Sequence, residues 1–231
     1  MSKIIEFIPS TLEVELVVPK PKPAKSYVPQ WYKNGDAVND TNFDEKGILI
    51  TSVKQCIPFL DAMTAGYIQE TWCDIHIHIN DQGLVDYHYS SKPTPLKMRD
   101  YPAVPLDDRY HDGEFIWQTP WIPKLPKGYS ILFTQPFNNF QLPFQCASGI
   151  VDADDFYHAP NGNFPFYLAK GFNGIIPAGT PMYQMIPIKR DDWKSKSSKY
   201  NEKDMFKRFA TKNKTFINAY RNNFWTKKNY N

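Results

Sequence analysis

Thr71-Trp72-Cys73-Asp74-Ile75-His76-Ile77-His78-Ile79-Asn80-Asp81-Gln82-Gly83-Leu84-Val85-Asp86-Tyr87-His88-Tyr89-Ser90 alternates apolar and polar residues on both sides of one turn signal. Cys73, Ile75, Ile77 and Ile79 fall on one face of a strand, and Asp74, His76, His78 and Asn80 on the other. A period of two marks a strand with one buried face. Asp81-Gln82-Gly83 supplies the reversal. Pairing Asn80 with Leu84 keeps Val85, Tyr87 and Tyr89 on the apolar side. That register sets His76 opposite His88 and His78 opposite Asp86, and a slip of one residue would turn every apolar side chain outward.

Upstream, residues 3–8 and 12–18 read as strands around Pro9-Ser10, the second because Leu12, Val14, Leu16 and Val18 alternate with acids. Pro19, Pro21 and Pro23 make a stiff connector. Val28 to Lys33 is an aromatic hook that packs on the domain, 34–46 is polar loop, and 48–53 is a further strand. Downstream, 91–126 reads as long loops with one short strand at 115–118. Strands return at 129–134, 164–168 and 182–188. After Arg190, Asn201-Glu202-Lys203-Asp204 resembles a helix start. Met205, Phe209, Phe216, Tyr220 and Phe224 then follow at near-helical spacing, interrupted by Asn213, and predict one or two amphipathic helices over 202–225.

The composition agrees. Twenty prolines against eleven glycines, with 16% aromatic residues, disfavour a helical bundle and suit a loop-rich, mainly β protein. Three cysteines in 231 residues are no disulfide framework. Cys56 and Cys73, among apolar neighbours, are expected as buried free thiols. No apolar run approaches the roughly 20 residues that span a bilayer, and Met1 to Glu6 lacks a signal-peptide pattern. The expectation is a reduced, cytoplasmic setting with no membrane partner.

The net charge of +3 hides an asymmetry. Residues 191–231 hold 11 Lys+Arg and 4 Asp+Glu, whereas residues 1–190 hold 16 and 20. An acidic β body, 1–190, therefore carries a basic helical tail, 191–231. The tail suits a protein partner or a second copy of the chain. Its cations beside aromatics also suit nucleic acid, and its helices equally suit simple docking on the body.

Leu125-Pro126-Lys127-Gly128-Tyr129-Ser130-Ile131-Leu132-Phe133, then Ser148-Gly149-Ile150-Val151-Asp152-Ala153-Asp154, then Ile176 to Ile186, resembles the back half of the dUTPase and dCTP-deaminase superfamily. Asp152 matches the acid of that family's Gly-hydrophobic-hydrophobic-Asp segment, and Gln184 the Gln of its later strand. Ala65-Gly66-Tyr67 is faintly similar to its first motif. The resemblance implies a β-clip scaffold and a nucleotide site. The family's phosphate-holding Arg-Ser-Ser motif would fall at Thr134-Gln135-Pro136-Phe137, which has neither Arg nor a Ser pair. Ile68 replaces the first motif's acid, and the Gly-rich closing arm is missing. The whole chain also resembles an uncharacterised family of phages and bacteria, which implies a virion-associated location if the chain is phage-encoded.

Three constellations carry chemistry. His76, His78 and His88, with Asp74 and Asp86, share one hairpin face, the spacing of a divalent-metal site or of a solvated polar face. Asp152, Asp154 and Asp155 near His158 suit water activation or a turn. Asp152 with Gln184 forms the nucleotide-hydrolase candidate. The fold expected is mainly β, a distorted β-barrel or β-clip-like, dUTPase-like domain with a helical C-terminal appendage. The function expected is a non-catalytic binding or assembly protein. The alternatives are a divergent nucleotide hydrolase centred on Asp152 and Gln184, or a metal enzyme of the hairpin histidines.

Overall fold

Ile75 lies opposite Tyr89, His76 opposite His88, Ile77 opposite Tyr87, His78 opposite Asp86 and Ile79 opposite Val85. The Asn80 N–H donates to the Leu84 carbonyl at 3.0 Å, and the Asn80 side chain caps the turn by accepting from the N–H groups of Gln82 and Leu84, both at 3.0 Å. The predicted register is therefore the observed one. Ile75 and Ile77 are buried while His76 and His78 are exposed.

The computed structural model describes residues 3–231 except 44, 46, 48, 100–106, 157–161 and 213–218. In chain order its elements begin with β1 (Glu6–Pro9), α1 (Leu12–Val17), β2 (Lys22–Pro23), α2 (Gln30–Asn34), β3 (Val38–Phe43), β4 (Leu49–Thr51) and α3 (Ile57–Thr64). The central strands are β5 (Tyr67–Glu70), β6 (Ile75–Ile79), β7 (Val85–Tyr89), β8 (Leu96–Arg99), β9 (Glu114–Gln118), β10 (Trp121–Lys124) and β11 (Tyr129–Thr134). There follow β12 (Phe144–Cys146), β13 (Gly149–Val151), β14 (Asn163–Leu168), β15 (Gly174–Ile176), β16 (Pro181–Lys189), α4 (Glu202–Lys212) and α5 (Ala219–Asn223).

The chain is mainly β, and its strand pairs are antiparallel. Five-stranded β13-β11-β16-β5-β2 and four-stranded β12-β14-β9-β8 are the larger sheets, beside β15-β6-β7, β1-β10 and β3-β4. No closed barrel forms among the described residues, which corrects the barrel expectation. The five-stranded sheet stops at β2, two residues long and ending on Pro23, and at the three-residue β13, so its edges never meet.

The aromatic excess fills the space between the two larger sheets. Phe133 and Tyr183 of the first meet Phe164 of the second, with ring centroids 5.5 and 5.2 Å from Phe164. Trp117 stacks on Phe166 at 3.9 Å. Both are fully buried, and burying such rings is worth several kcal/mol each by area alone, about 25 cal/mol per Å².

Several expectations are corrected. Residues 12–17 are helix, not strand. Thr11 caps it by accepting from the Val14 N–H at 3.2 Å, and Val14 and Val18, four residues apart, are the buried pair. The alternation of Leu-Glu-Val-Glu-Leu-Val also satisfies a helical stripe, and the cap decides between them. The stretch 91–126 holds β8 and β10 besides the expected β9, and the polar 34–46 stretch holds β3. In the aromatic hook, Tyr32 is buried and its ring stacks on Phe59 at 6.0 Å. Cys56 is exposed at the start of α3 and Cys73 half-buried, so neither is the buried thiol expected; Cys146 is buried. Ile48, His158, Asn213 and Phe216 lie outside the described residues.

Candidate functional site

β13 pairs with β11, Ile131 opposite Val151 and Phe133 opposite Gly149. Beyond Val151 the backbone turns: the Asp152 carbonyl accepts from the N–H groups of Asp155 and Phe156, at 3.1 and 2.9 Å. The acidic cluster thus makes a turn, and the carboxylates of Asp152 and Asp154 are engaged. Asp152 accepts from the Ser130 hydroxyl at 2.6 Å and lies 3.1 Å from an Arg190 nitrogen. Asp154 takes both terminal nitrogens of Arg190 and the Gly128 N–H at 2.8 Å. The Arg190 guanidinium, followed by the Gly128 N–H, lowers the Asp154 carboxyl to about 2. The pairing raises the affinity of Arg190 for its proton in turn.

Gln184 is wholly buried and fully bonded. Its oxygen accepts from the Phe137 N–H at 2.9 Å; its nitrogen donates to the carbonyls of Ala62 and Ala65, at 2.9 and 2.6 Å. It ties β16 to α3 and to the 136–137 turn. Asp152 and Gln184 are not brought together. Asp152 follows Val151 beside Ser130, on one side of β11, and Gln184 faces Thr134 on the other side. Four residues of strand separate those levels, about 13 Å. Where the resembled family keeps its phosphate motif, polar side chains bond internally. Thr134 meets the Ser148 hydroxyl at 2.9 Å, and Gln135 accepts from the Cys146 N–H at 2.7 Å.

The structure brings His76 and His88 side by side and sets Asp86 opposite His78 on the exposed face of the hairpin. On the other flank of β6, His76 faces Ile175. Asp74 is drawn away, accepting from the Ala178 N–H at 2.8 Å. Among the described residues, no three His, Cys, Asp or Glu side chains converge as a metal site.

Sequence reasoning missed a cavity of about 450 Å³ where β10, β11, β13 and β14 meet. Ile122, Phe133, Val151, Ala153, Phe156 and Phe164 supply its apolar wall, and Ser148 and Asn163 its polar edge. Alternation along the strand explains the orientation. Gly149, Val151 and Ala153 face the cavity, so Ile150, 66% exposed, and Asp152 face away. A Cβ on Gly149 would meet nothing within 4 Å. The signal available in sequence was the run of small residues, Ala147-Ser148-Gly149 and Ala153, set among phenylalanines.

The C-terminal segment docks on the body. Asp61 of α3 accepts from the Trp225 indole at 2.9 Å and from Lys228 at 2.6 Å. The Tyr230 ring stands edge-on to Tyr67 at 6.2 Å, and the Tyr67 hydroxyl donates to the Asn231 carbonyl at 3.1 Å. Before this clasp, 191–201 runs as exposed chain without regular structure.

No helix among the described residues is long and apolar enough to cross a membrane. Compared with known proteins, the chain matches no family model and no curated protein.

Proposed function

We propose that the chain is a non-catalytic binding protein on a dUTPase-like β scaffold, and that the cavity beside β13 holds its ligand. The supporting observation is the alternation at 149–153: small and apolar residues face the cavity while the Asp152 carboxylate points away, held by Ser130 and Arg190. An apolar wall with a few polar atoms at one edge suits a small planar molecule, and about 450 Å³ lies within the usual range for such sites. The segment that carries the family resemblance also lines this cavity, which favours a nucleobase or nucleoside.

Thermal shift with nucleobases and nucleosides tests this. A ligand of the folded state stabilises by mass action, about 2.7 kcal/mol at a hundredfold excess over Kd. The shift is expected to persist in Asp152→Asn and to vanish in Gly149→Leu, whose side chain enters the cavity without backbone strain. No shift with any of these compounds would remove the reading. Turnover of a deoxynucleoside triphosphate, abolished by Asp152→Asn, would replace it with the hydrolase.

A further inference from the structure

Phe133, Phe164 and Phe156 all line the cavity. Phe133 and Phe164 are 6% exposed and sit in β11 and β14, where strand pairing fixes them. Phe156 is 55% exposed and stands on the turn beyond β13. Its place therefore depends on what holds that turn. Ala153, which also faces the cavity, is tied by its carbonyl to the Leu125 N–H at 3.2 Å. The next residue, Asp154, has a side chain only 2% exposed, and it takes both terminal nitrogens of Arg190. Asp154 also accepts from the Gly128 N–H at 2.8 Å, and the Gly128 carbonyl accepts from the Arg190 N–H at 2.9 Å, which closes a ring of three residues. The guanidinium donates further to the Tyr129 carbonyl and the Ser130 hydroxyl, both at 3.2 Å. A planar fork engaged on this many acceptors fixes an orientation, which a point charge does not.

We infer that Arg190 is a positioning residue of the cavity: through Asp154 it holds the 152–156 turn in the arrangement that completes the wall with Ala153 and Phe156. That role presupposes that the cavity is the ligand site. Asp152 is not the route, because its side chain is 63% exposed and an asparagine there keeps an oxygen for the Ser130 hydroxyl. Without Arg190, the Asp154 carboxylate keeps the Gly128 N–H but loses its cation. A buried charge left in that state is costly, and lifting the turn returns it to water. Phe156 moves with the turn. The ligand then meets a wall that is in place only part of the time, and its apparent Kd rises by the inverse of that fraction.

Titration calorimetry of the full chain with uridine and adenosine, paired with amide hydrogen exchange, tests this. Arg190→Ala should weaken nucleoside binding about tenfold and speed exchange of the Asp155 and Phe156 N–H groups by about the same factor, since one opening governs both. Arg190→Lys keeps the charge without the fork and should fall between wild type and Arg190→Ala; it carries the test if circular dichroism shows Arg190→Ala unfolded. Asp154→Asn should match Arg190→Ala, and the double variant should bind no worse than either, because the pair acts as one unit. Gln184→Ala, destabilised elsewhere, should leave both readouts at the wild-type level, which separates the brace from a general loss of stability. Affinity and exchange that stay unchanged without Arg190, or that change equally in Gln184→Ala, would overturn the inference. If neither nucleoside binds the intact chain, the ligand reading falls, and exchange at Asp155 and Phe156 alone decides the brace.

Discussion

Gly66 lies against the backbone of Met185 so closely that a Cβ would strike the Met185 carbonyl oxygen and come within 2.9 Å of its carbonyl carbon. Gly66 also has φ +67°, a conformation that costs an L side chain roughly 1 kcal/mol. Its carbonyl accepts from the Ala24 N–H at 3.0 Å. The chain leaving α3 thus crosses β16 at van der Waals distance, which only a glycine permits. Gly66→Ala should destabilise the fold by about 3 kcal/mol or more. A chemical-denaturation midpoint unchanged from wild type would contradict this.

Gln184 holds three backbone groups from two other segments. Gln184→Ala leaves the Phe137 N–H and the carbonyls of Ala62 and Ala65 without that partner, together with a cavity. The expected loss is about 3 kcal/mol, or about 6–12 °C in Tm for a chain of this size. Gln184→Glu should also destabilise, because a carboxylate cannot donate to the two carbonyls. A stable Gln184→Ala protein would show that the residue is not the brace described.

Acid should weaken the contact between the 152–156 turn and β16. The folded-state value for Asp154 is about 2, below that of an unfolded aspartate, so the unfolded chain binds the proton first. Stability from this group is complete above about pH 4 and disappears as the pH falls toward 2. Asp154→Asn should flatten that part of the Tm-against-pH curve and lower the plateau above it. An unchanged acid limb in the variant would disprove the assignment.

A second titration lies nearer neutrality. His111 is nearly buried, and its Nε2 accepts from the Gly171 N–H at 3.0 Å. Burial lowers its proton affinity, Asp112 opposes that and Lys170 adds to it. The folded state therefore keeps the neutral ring longer than the unfolded chain does. Stability is complete above about pH 6.5 and falls as the pH drops below it. His111→Gln should remove the step that begins below about pH 6.5, leaving the Asp154 limb in place. Calorimetry from about pH 8 down to about pH 2 separates the two.

Local patterns that a single physical rule decides were readable in the sequence. The hairpin register followed from alternation and one turn, and the strand at Tyr129–Thr134 from its apolar run. Leu12 to Val17 was ambiguous because its pattern fits both periods. β10 was hidden by Pro123, which it tolerates because β1 is its neighbour in a two-stranded sheet. The site was less legible still. Asp152 stands out in the sequence, but Arg190, the group that engages it, is 38 residues away, and the cavity belongs to no one segment. It arises where strands from different sheets fail to close over small side chains.

The Asp61 clasp alters what the length of the tail means. The chain departs at Arg190 and is caught again at Trp225, so α4 rides on a closed loop rather than a free end. The entropy of closing a flexible loop grows only with the logarithm of its length, about 0.6 kcal/mol for each doubling. Insertions or deletions within 191–200 would therefore cost the clasp little. They would reset how far α4 reaches, which makes the spacing between the β body and its helix a dimension that sequence drift can tune almost without energetic penalty.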